Sequence, residues 1–327
     1  MTSATILGGI AGTELSADEA AFFREADPWG FILFGRNVAD PAQLRRLTDD
    51  LRAAVGRDAL ITVDQEGGRV QRLRGPHWTD WPAPLPDAAA GVRAMWLRYH
   101  LIGQELRAVG IDSNCAPTLD VAQPRTHPFL RDRCLGDTPA RVAELGRAAA
   151  EGMLAAGVLP VVKHMPGHGR AQADSHHDLP VVEDDLAALE TDFAPFRALA
   201  DLPLGMTAHI RFTALDDAPA TASARVIGLI RDAIGFDGLL MTDDITMNAL
   251  PGSHADRAAA SIAAGCDVVL HCNGSVAEMA PVVAAAGAMT PEARRRADRA
   301  LALRRVPEAA DLAALRAEWQ ALTGATA

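Results

Sequence analysis

The sequence lacks the features that would assign it to a membrane or to nucleic acid. No run of apolar residues approaches the roughly 18 that a helix needs to span a bilayer, so we expect no membrane-spanning segment. Residues 1–20 carry no basic stretch, and glycines interrupt their apolar part, which a signal peptide would not show. The formal net charge is −11, so the chain lacks the basic character that phosphate backbones attract. We therefore expect a cytoplasmic protein that binds neither membranes nor nucleic acid.

Cysteine is scarce and is not spaced as in a redox or metal motif. The chain has four cysteines, none of them in a C-x-x-C pair, and in a chain of 327 residues this does not indicate a disulfide framework. We expect each of them to be a small buried apolar side chain. They are Cys115, Cys134, Cys266 and Cys272.

What the sequence does contain is a regular alternation of short apolar runs with longer segments of helical periodicity. Continuous apolar runs are typical of parallel strands that are covered on both faces, and eight such alternations indicate an α/β fold, a (β/α)₈ barrel. No linker or internal repeat interrupts the pattern, so we expect a single domain over residues 1–327, with C-terminal helices from about residue 290 packed on the outside. The runs are residues 4–10, 30–34, 59–65, 111–120, 157–164, 202–210, 236–244 and 266–272.

Most of these runs end in a polar or ionisable side chain. Because the C-terminal ends of the strands form the active site of a (β/α)₈ barrel, this pattern indicates an enzyme. For Asp244 we expect the role of a cap for the following helix. The residues concerned are Asp64, Asp120, Lys163, His164, His209, Asp243, Asp244 and His271.

The stretch KHMPGHGRAQADSHHDLP, residues 163–180, first suggests a metal site. His164 and His168 have the spacing at which a helix presents two ligands on one face. Pro166 and Gly167 stand between them, however, and both disfavour a helix. The spacing argument therefore fails, although a metal site built in another way stays open as an alternative.

An acid–base pair is the other interpretation of this stretch. Asp174 and His176 are two residues apart, so a turn would let the carboxylate bind one ring nitrogen and make the other more basic. An aspartate-initiated turn with an exposed histidine is the alternative. We expect the ring of His168 to hydrogen-bond within its own turn and His177 to be exposed.

Taken together, the motifs resemble those of glycoside hydrolase family 3, in particular its single-domain β-N-acetylglucosaminidase branch, over about residues 5–275. The resemblance implies a (β/α)₈ barrel and a retaining, two-step mechanism without cofactor or metal. Asp243 matches the nucleophile, and His176 paired with Asp174 matches the acid/base. The motifs are KH-x-PGHG followed by DSH-x-x-LP, DQEGGRVQRL, CAPTLDV, MTAHI with DDAPATAS, and MTDDITM.

The same resemblance implies the residues that hold the sugar and the kind of substrate. Arg131 is the nearby alternative to Arg133 for one of these positions. We expect a monomer that releases terminal N-acetylglucosamine from the muropeptides of peptidoglycan recycling. A β-glucosidase or a phosphorylase of the same family, a non-catalytic sugar-binding barrel and a metallohydrolase are the alternatives. The expected substrate-binding residues are Asp64, Arg72, Arg133, Lys163 and His164.

Overall fold

The computed structural model describes residues 1–172, 178–307 and 310–325, and eight parallel strands form its centre. They hydrogen-bond in the order β3-β2-β1-β8-β7-β6-β5-β4. The backbone N–H groups of the two residues that flank β4 donate to carbonyls of β3, from Asp112 to Ile61 at 3.1 Å and from Cys115 to Val63 at 2.9 Å. These bonds bring the two ends of the sheet together. The predicted barrel fold is therefore confirmed. The strands are β1 (Ser3–Leu7), β2 (Pro28–Leu33), β3 (Leu60–Val63), β4 (Ser113–Asn114), β5 (Leu159–Met165), β6 (Leu204–Thr207), β7 (Leu239–Asp244) and β8 (Val268–His271).

The fourth strand is much shorter than its apolar run predicts. Only Ser113–Asn114 is strand, whereas the run covers residues 111–120. Side chains replace part of the ladder here, because the Asp112 carboxylate accepts from the Ile61 amide at 2.8 Å and the Asn114 side chain bonds both backbone groups of Gln65. Pro117 lacks the N–H that a longer strand would need. The run thus ends as a loop that carries Asp120 into the barrel mouth.

The helices surround the barrel, and short polar residues cap many of their first turns. The Asp185 carboxylate, for example, accepts from the Ala188 amide at the start of the helix Leu186–Ala198. The prediction for Asp244 is wrong, because Asp244 ends β7 and Ser253 caps the next helix. The helices are α1 (Ala17–Ala26), α2 (Pro41–Val55), α3 (Pro84–Ala89), α4 (Val92–Ala108), α5 (Pro128–Arg131), α6 (Pro139–Ala155), α7 (Leu186–Ala198), α8 (Ala224–Asp232), α9 (His254–Ala264), α10 (Val276–Ala286), α11 (Pro291–Leu301) and α12 (Leu312–Thr323).

The last two helices pack against the outer layer of the barrel. In α12 the indole of Trp319 lies 4.9 Å from the ring of Trp81 and donates to the Asp87 carboxylate at 3.0 Å. In α11 Arg296 donates to both Asp237 and Asp267, which lie before β7 and before β8. Each contact therefore ties the C-terminal segment to a different part of the barrel.

Two expectations about the chain as a whole can be compared with the structure. All four cysteines are buried and unpaired, as expected of small apolar side chains. Within the described ranges, none of the twelve helices combines the length and the apolar character that a bilayer crossing requires.

Candidate active site

A cleft of about 320 Å³ opens at the C-terminal ends of the strands and gathers six of the predicted residues. They come from different elements, so the fold and not the chain order brings them together. Asp174 and His176 lie outside the described residues, as does His177. The six are Asp64, Arg72, Arg133, Lys163, His164 and Asp243.

Asp64 follows β3 and is held between two cations. One carboxylate oxygen lies 2.8 Å from Arg72 Nη2, and the other lies 3.3 Å from Lys163 Nζ. Burial would raise the pKa of Asp64, but Lys163 and Arg72 outweigh it and hold the pKa below its usual range. The carboxylate is therefore an ionised acceptor for hydroxyl groups.

Glu66 is a central residue of the site that the sequence did not reveal. Its carboxylate is 1% exposed, accepts from Lys163 Nζ at 2.7 Å and receives a two-bond fork from Arg133 at 2.8 and 2.9 Å. Burial would raise the pKa of Glu66, but Arg133 and Lys163 hold it well below its usual range. One signal in the sequence could have identified Glu66. Residues two apart in an extended segment face the same side, and Glu66 stands two residues after Asp64.

Arg133 and Arg131 have different surroundings. Arg133 lines the cleft and is buried in its pairing with Glu66. Arg131 is exposed, is absent from the cleft lining, and donates to the backbone carbonyl of Gln123 at 3.0 Å. Of the two arginines, Arg133 is thus the one placed to contact a ligand in the cleft.

His164 lies near the end of β5, and both of its ring nitrogens have a hydrogen-bond partner. Arg133 Nη2 lies 3.5 Å from His164 Nε2. Because a guanidinium can only donate, Nε2 is the acceptor and the proton resides on Nδ1. Nδ1 donates to the Asp120 carboxylate at 2.7 Å, so Asp120 fixes the orientation of the ring.

His168 also lines the cleft, but its ring is not bonded as the sequence predicts. The residue is 2% exposed, and both ring nitrogens lack a hydrogen-bond partner within the described part of the chain. It is instead the backbone N–H that is bonded, to the Asp120 carboxylate at 2.6 Å. The expectation of a ring hydrogen bond within the turn is therefore wrong.

Asp243 lies at the end of β7 and is partly exposed in the cleft. Burial would raise its pKa, but the side chains of His209 and His164 and the amide of Asp244 outweigh this effect, so the pKa lies below its usual range. The side-chain oxygen accepts from that amide at 2.8 Å. Asp243 is thus an ionised carboxylate that a ligand can reach.

Asp244, the residue after Asp243, has a structural role. Its carboxylate accepts from the amide and hydroxyl of Thr246, at 2.9 and 2.6 Å, and from the amide of Cys272 at 3.1 Å. Its carbonyl accepts from His209 Nε2 at 3.0 Å. These bonds join the ends of β6, β7 and β8 and support the backbone that carries Asp243.

The side chains of the cleft suit a polar organic ligand more than a metal ion. Across residues 1–172, 178–307 and 310–325, no group of three or more His, Cys, Asp or Glu side chains has an arrangement that could hold a metal. Acceptors such as Asp64 and Asp243 stand beside donors such as Arg72, Arg133 and Lys163 in one small cleft. Such a set can hydrogen-bond several hydroxyl groups at once.

The chain resembles known proteins over most of its length. Residues 12–303 match the family described as "Glycosyl hydrolase family 3 N terminal domain". A protein of Alkalilimnicola ehrlichii named "Beta-hexosaminidase" is 41% identical over 285 residues, which cover 82% of this chain and 80% of that protein.

The chain also resembles solved structures of the same architecture. NagZ from Neisseria gonorrhoeae, in complex with N-trifluoroacetyl-D-glucosamine, superposes with a TM-score of 0.85 at 29% identity over 98% of both chains. A glycoside hydrolase family 3 β-N-acetylglucosaminidase from Paenibacillus sp. gives a TM-score of 0.84 at 33% identity over 99% of this chain. This chain spans 63% of the length of that structure.

Proposed function

Since the chain belongs to glycosyl hydrolase family 3 and is a glycoside hydrolase, we propose that it is a retaining exo-β-N-acetylglucosaminidase. The observation that carries the proposal is the ionised, accessible Asp243 in the same cleft as the fixed acceptor Asp64 and its cationic partners. The names of the similar proteins support an N-acetylhexosamine as the sugar.

In the proposed mechanism the reaction has two steps with one intermediate. The Asp243 carboxylate attacks the anomeric carbon, the bond to the leaving oxygen breaks, and that oxygen takes a proton from His176. A water molecule then attacks the glycosyl-enzyme, gives its proton to His176 and releases the sugar with its original configuration. Asp174 supports the imidazolium electrostatically. The roles of His176 and Asp174 are those that the family resemblance implies for the motif DSH.

The described side chains suit the sugar-binding part of this mechanism. Asp64 can accept from two hydroxyl groups because its carboxylate is held ionised by Arg72 and Lys163. Glu66 fixes Lys163 and Arg133 in place, so their remaining N–H groups present fixed donors. A preorganised set of this kind lowers the entropic cost of binding one sugar in one orientation.

A muropeptide is the natural substrate that we propose, and the rim of the cleft supports it. Arg69 lines the cleft, is exposed, and has no carboxylate partner within the described ranges. Its guanidinium lies 5.3 Å from the centre of the Phe129 ring. An exposed cation at the mouth of a cleft in a chain of net charge −11 suits an aglycone that carries carboxylates. We propose that the enzyme acts as a cytoplasmic monomer with a single catalytic domain.

A panel of aryl glycosides tests the activity directly. We expect p-nitrophenyl N-acetyl-β-glucosaminide to be hydrolysed at least roughly tenfold faster, by kcat/KM, than the corresponding glucoside or xyloside, because a site fitted to a polar group rejects analogues that lack it. Added phosphate and EDTA should leave the rate unchanged. Preference for the glucoside would indicate a β-glucosidase, acceleration by phosphate a phosphorylase, inhibition by EDTA a metallohydrolase, and no turnover a sugar-binding barrel.

The acid/base role of His176 predicts a dependence on the leaving group. His176→Ala should lower kcat/KM by about 10²- to 10⁴-fold for a disaccharide or muropeptide, whose leaving oxygen needs a proton. The loss should be smaller for a nitrophenyl glycoside, because nitrophenolate leaves without one. The control is His177→Ala at the neighbouring position, which should keep nearly full activity. Equal losses for both classes of substrate would contradict the acid role.

A further inference from the structure

The ring of His168 is a buried polar group whose position is fixed although neither of its nitrogens is bonded to any residue that the structure describes. The backbone around it is held on several sides: its own N–H donates to Asp120 at 2.6 Å, and the carbonyl of Gly169 accepts from the Thr126 hydroxyl at 2.6 Å. A Cβ atom at position 169 would lie 2.0 Å from the carbonyl oxygen of Val121, so only glycine fits this close approach. The backbone, and not the imidazole nitrogens, therefore places the ring in the cleft wall.

Aromatic neighbours complete the setting of this ring. It packs edge-on against Phe129 and His164, with ring centres 5.8 and 5.5 Å apart. Burial, with a smaller contribution from His164, lowers the pKa of His168 to about 4. The ring is thus neutral near pH 7 and offers one N–H donor and one acceptor at the same time.

His164 and His168, the two described histidines that line the cleft, differ in what they can offer to a ligand. Both nitrogens of His164 are engaged, one by Asp120 and one by Arg133. His168 lines the same cleft with both nitrogens unpartnered within the described ranges. A buried polar group without a hydrogen bond destabilises a folded protein, so its retention in a cleft wall calls for a compensating use.

We propose that His168 is a substrate-binding residue whose imidazole hydrogen-bonds a hydroxyl or acetamido group of the bound N-acetylhexosaminide. The inference rests on the proposed function, since it concerns the same cleft and the same class of ligand. It adds to the expected binding set a residue that the family motif did not assign, and it explains why an imidazole occupies a position where an apolar ring would pack equally well.

The test separates sugar binding from packing by comparing two substitutions. His168→Phe keeps the aromatic contacts with Phe129 and His164 but removes both nitrogens, whereas His168→Asn keeps a donor and an acceptor. For N-acetylglucosamine measured by calorimetry, we expect His168→Phe to bind about tenfold more weakly, as the loss of one hydrogen bond implies. His168→Asn should remain within about threefold of the wild type. The Tm of His168→Phe should be equal or higher by a few degrees, because the unpaired polar group is gone.

The control for His168→Phe is the same substitution at a buried histidine outside the cleft. His100→Phe changes a buried histidine of α4 that stacks on Trp96 and donates to the Gly152 carbonyl, so it should lower the Tm without changing the affinity for the sugar. Should His168→Phe not fold, His168→Met provides a second apolar replacement. If the wild type binds and hydrolyses the aryl N-acetylglucosaminide but both apolar variants keep its affinity, the inference is wrong and the proposed function stands. If the wild type neither binds nor hydrolyses it, both are wrong.

Discussion

Replacing Asp243 with asparagine is expected to reduce turnover of an aryl N-acetyl-β-glucosaminide by about 10⁴-fold or more, the scale seen when a nucleophile is removed. Asparagine has nearly the same shape as aspartate but cannot form the glycosyl-enzyme or balance the positive charge of the oxocarbenium-like transition state. The environment of Asp243 holds its pKa below the usual range, so the charge lost is one that the native protein maintains. Steady-state kinetics measures the loss, and circular dichroism checks that the fold is unchanged.

A small external anion distinguishes a missing nucleophile from a distorted cleft. In Asp243→Gly the space left by the carboxylate can admit azide, which should restore part of the turnover and yield an α-glycosyl azide, because azide attacks the face that Asp243 normally uses. Wild-type enzyme should give a β-configured product with methanol as the acceptor. Rescue without inversion, or an α-configured wild-type product, would contradict the assignment of Asp243 as nucleophile.

The sequence was sufficient to predict the barrel because its signals are local. Each barrel strand overlaps one apolar run, and residues at the ends of these runs, such as Asp64, Lys163 and Asp243, reach the cleft through the geometry that any (β/α)₈ barrel imposes. β4 departs most from the length of its run, because Asp112 and Asn114 replace ladder bonds with side-chain bonds. Such replacements depend on the neighbouring strand and leave no mark in a hydrophobicity pattern.

Pairings between distant residues were beyond the reach of sequence patterns. Arg133 meets Glu66 across 67 residues, and His164 meets Asp120 across 44. The sequence placed Asp120 and His164 at strand ends, and the family resemblance named Arg133, but nothing in the sequence identified Glu66 or joined these residues into pairs. The ring of His168 shows the same limit, since the local turn suggested a hydrogen bond that is absent among the described residues.

The second large effect concerns stability, because Glu66 is the buried anion that two cations share. Glu66→Gln leaves the charges of Lys163 and Arg133 close together without this partner, and breaking such a buried pair costs about 3–5 kcal/mol of unfolding free energy. Urea unfolding at pH 7 measures the loss. The control is Glu144→Gln, which breaks an exposed pair with Arg141 and should cost no more than about 1 kcal/mol.

The dependence on pH gives Glu66 a second signature. Arg133 and Lys163 outweigh burial and hold the pKa of Glu66 below its unfolded value of 4.5, so the unfolded chain takes up the proton first as the pH falls. The stabilisation is therefore complete above pH 4.5 and declines as the pH falls from there towards the folded-state pKa. In Glu66→Gln this decline should be smaller, and parallel pH profiles for the two proteins would contradict the assignment.

Lys163 offers a third readout that reports on the cleft itself, because it is the only lysine in the sequence. Burial would lower the pKa of Lys163, but Glu66 and Asp64 outweigh it and raise the pKa above its usual value. In Glu66→Gln the amine of Lys163 should lose its proton more easily and therefore react faster with an acylating reagent. It should also orient the sugar less well, which would lower kcat/KM by about 10- to 100-fold. Mass spectrometry of the labelled peptide measures the reactivity. A variant that is less stable, yet has unchanged labelling and an unchanged kcat/KM, would limit Glu66 to holding the fold and remove it from the sugar-binding set.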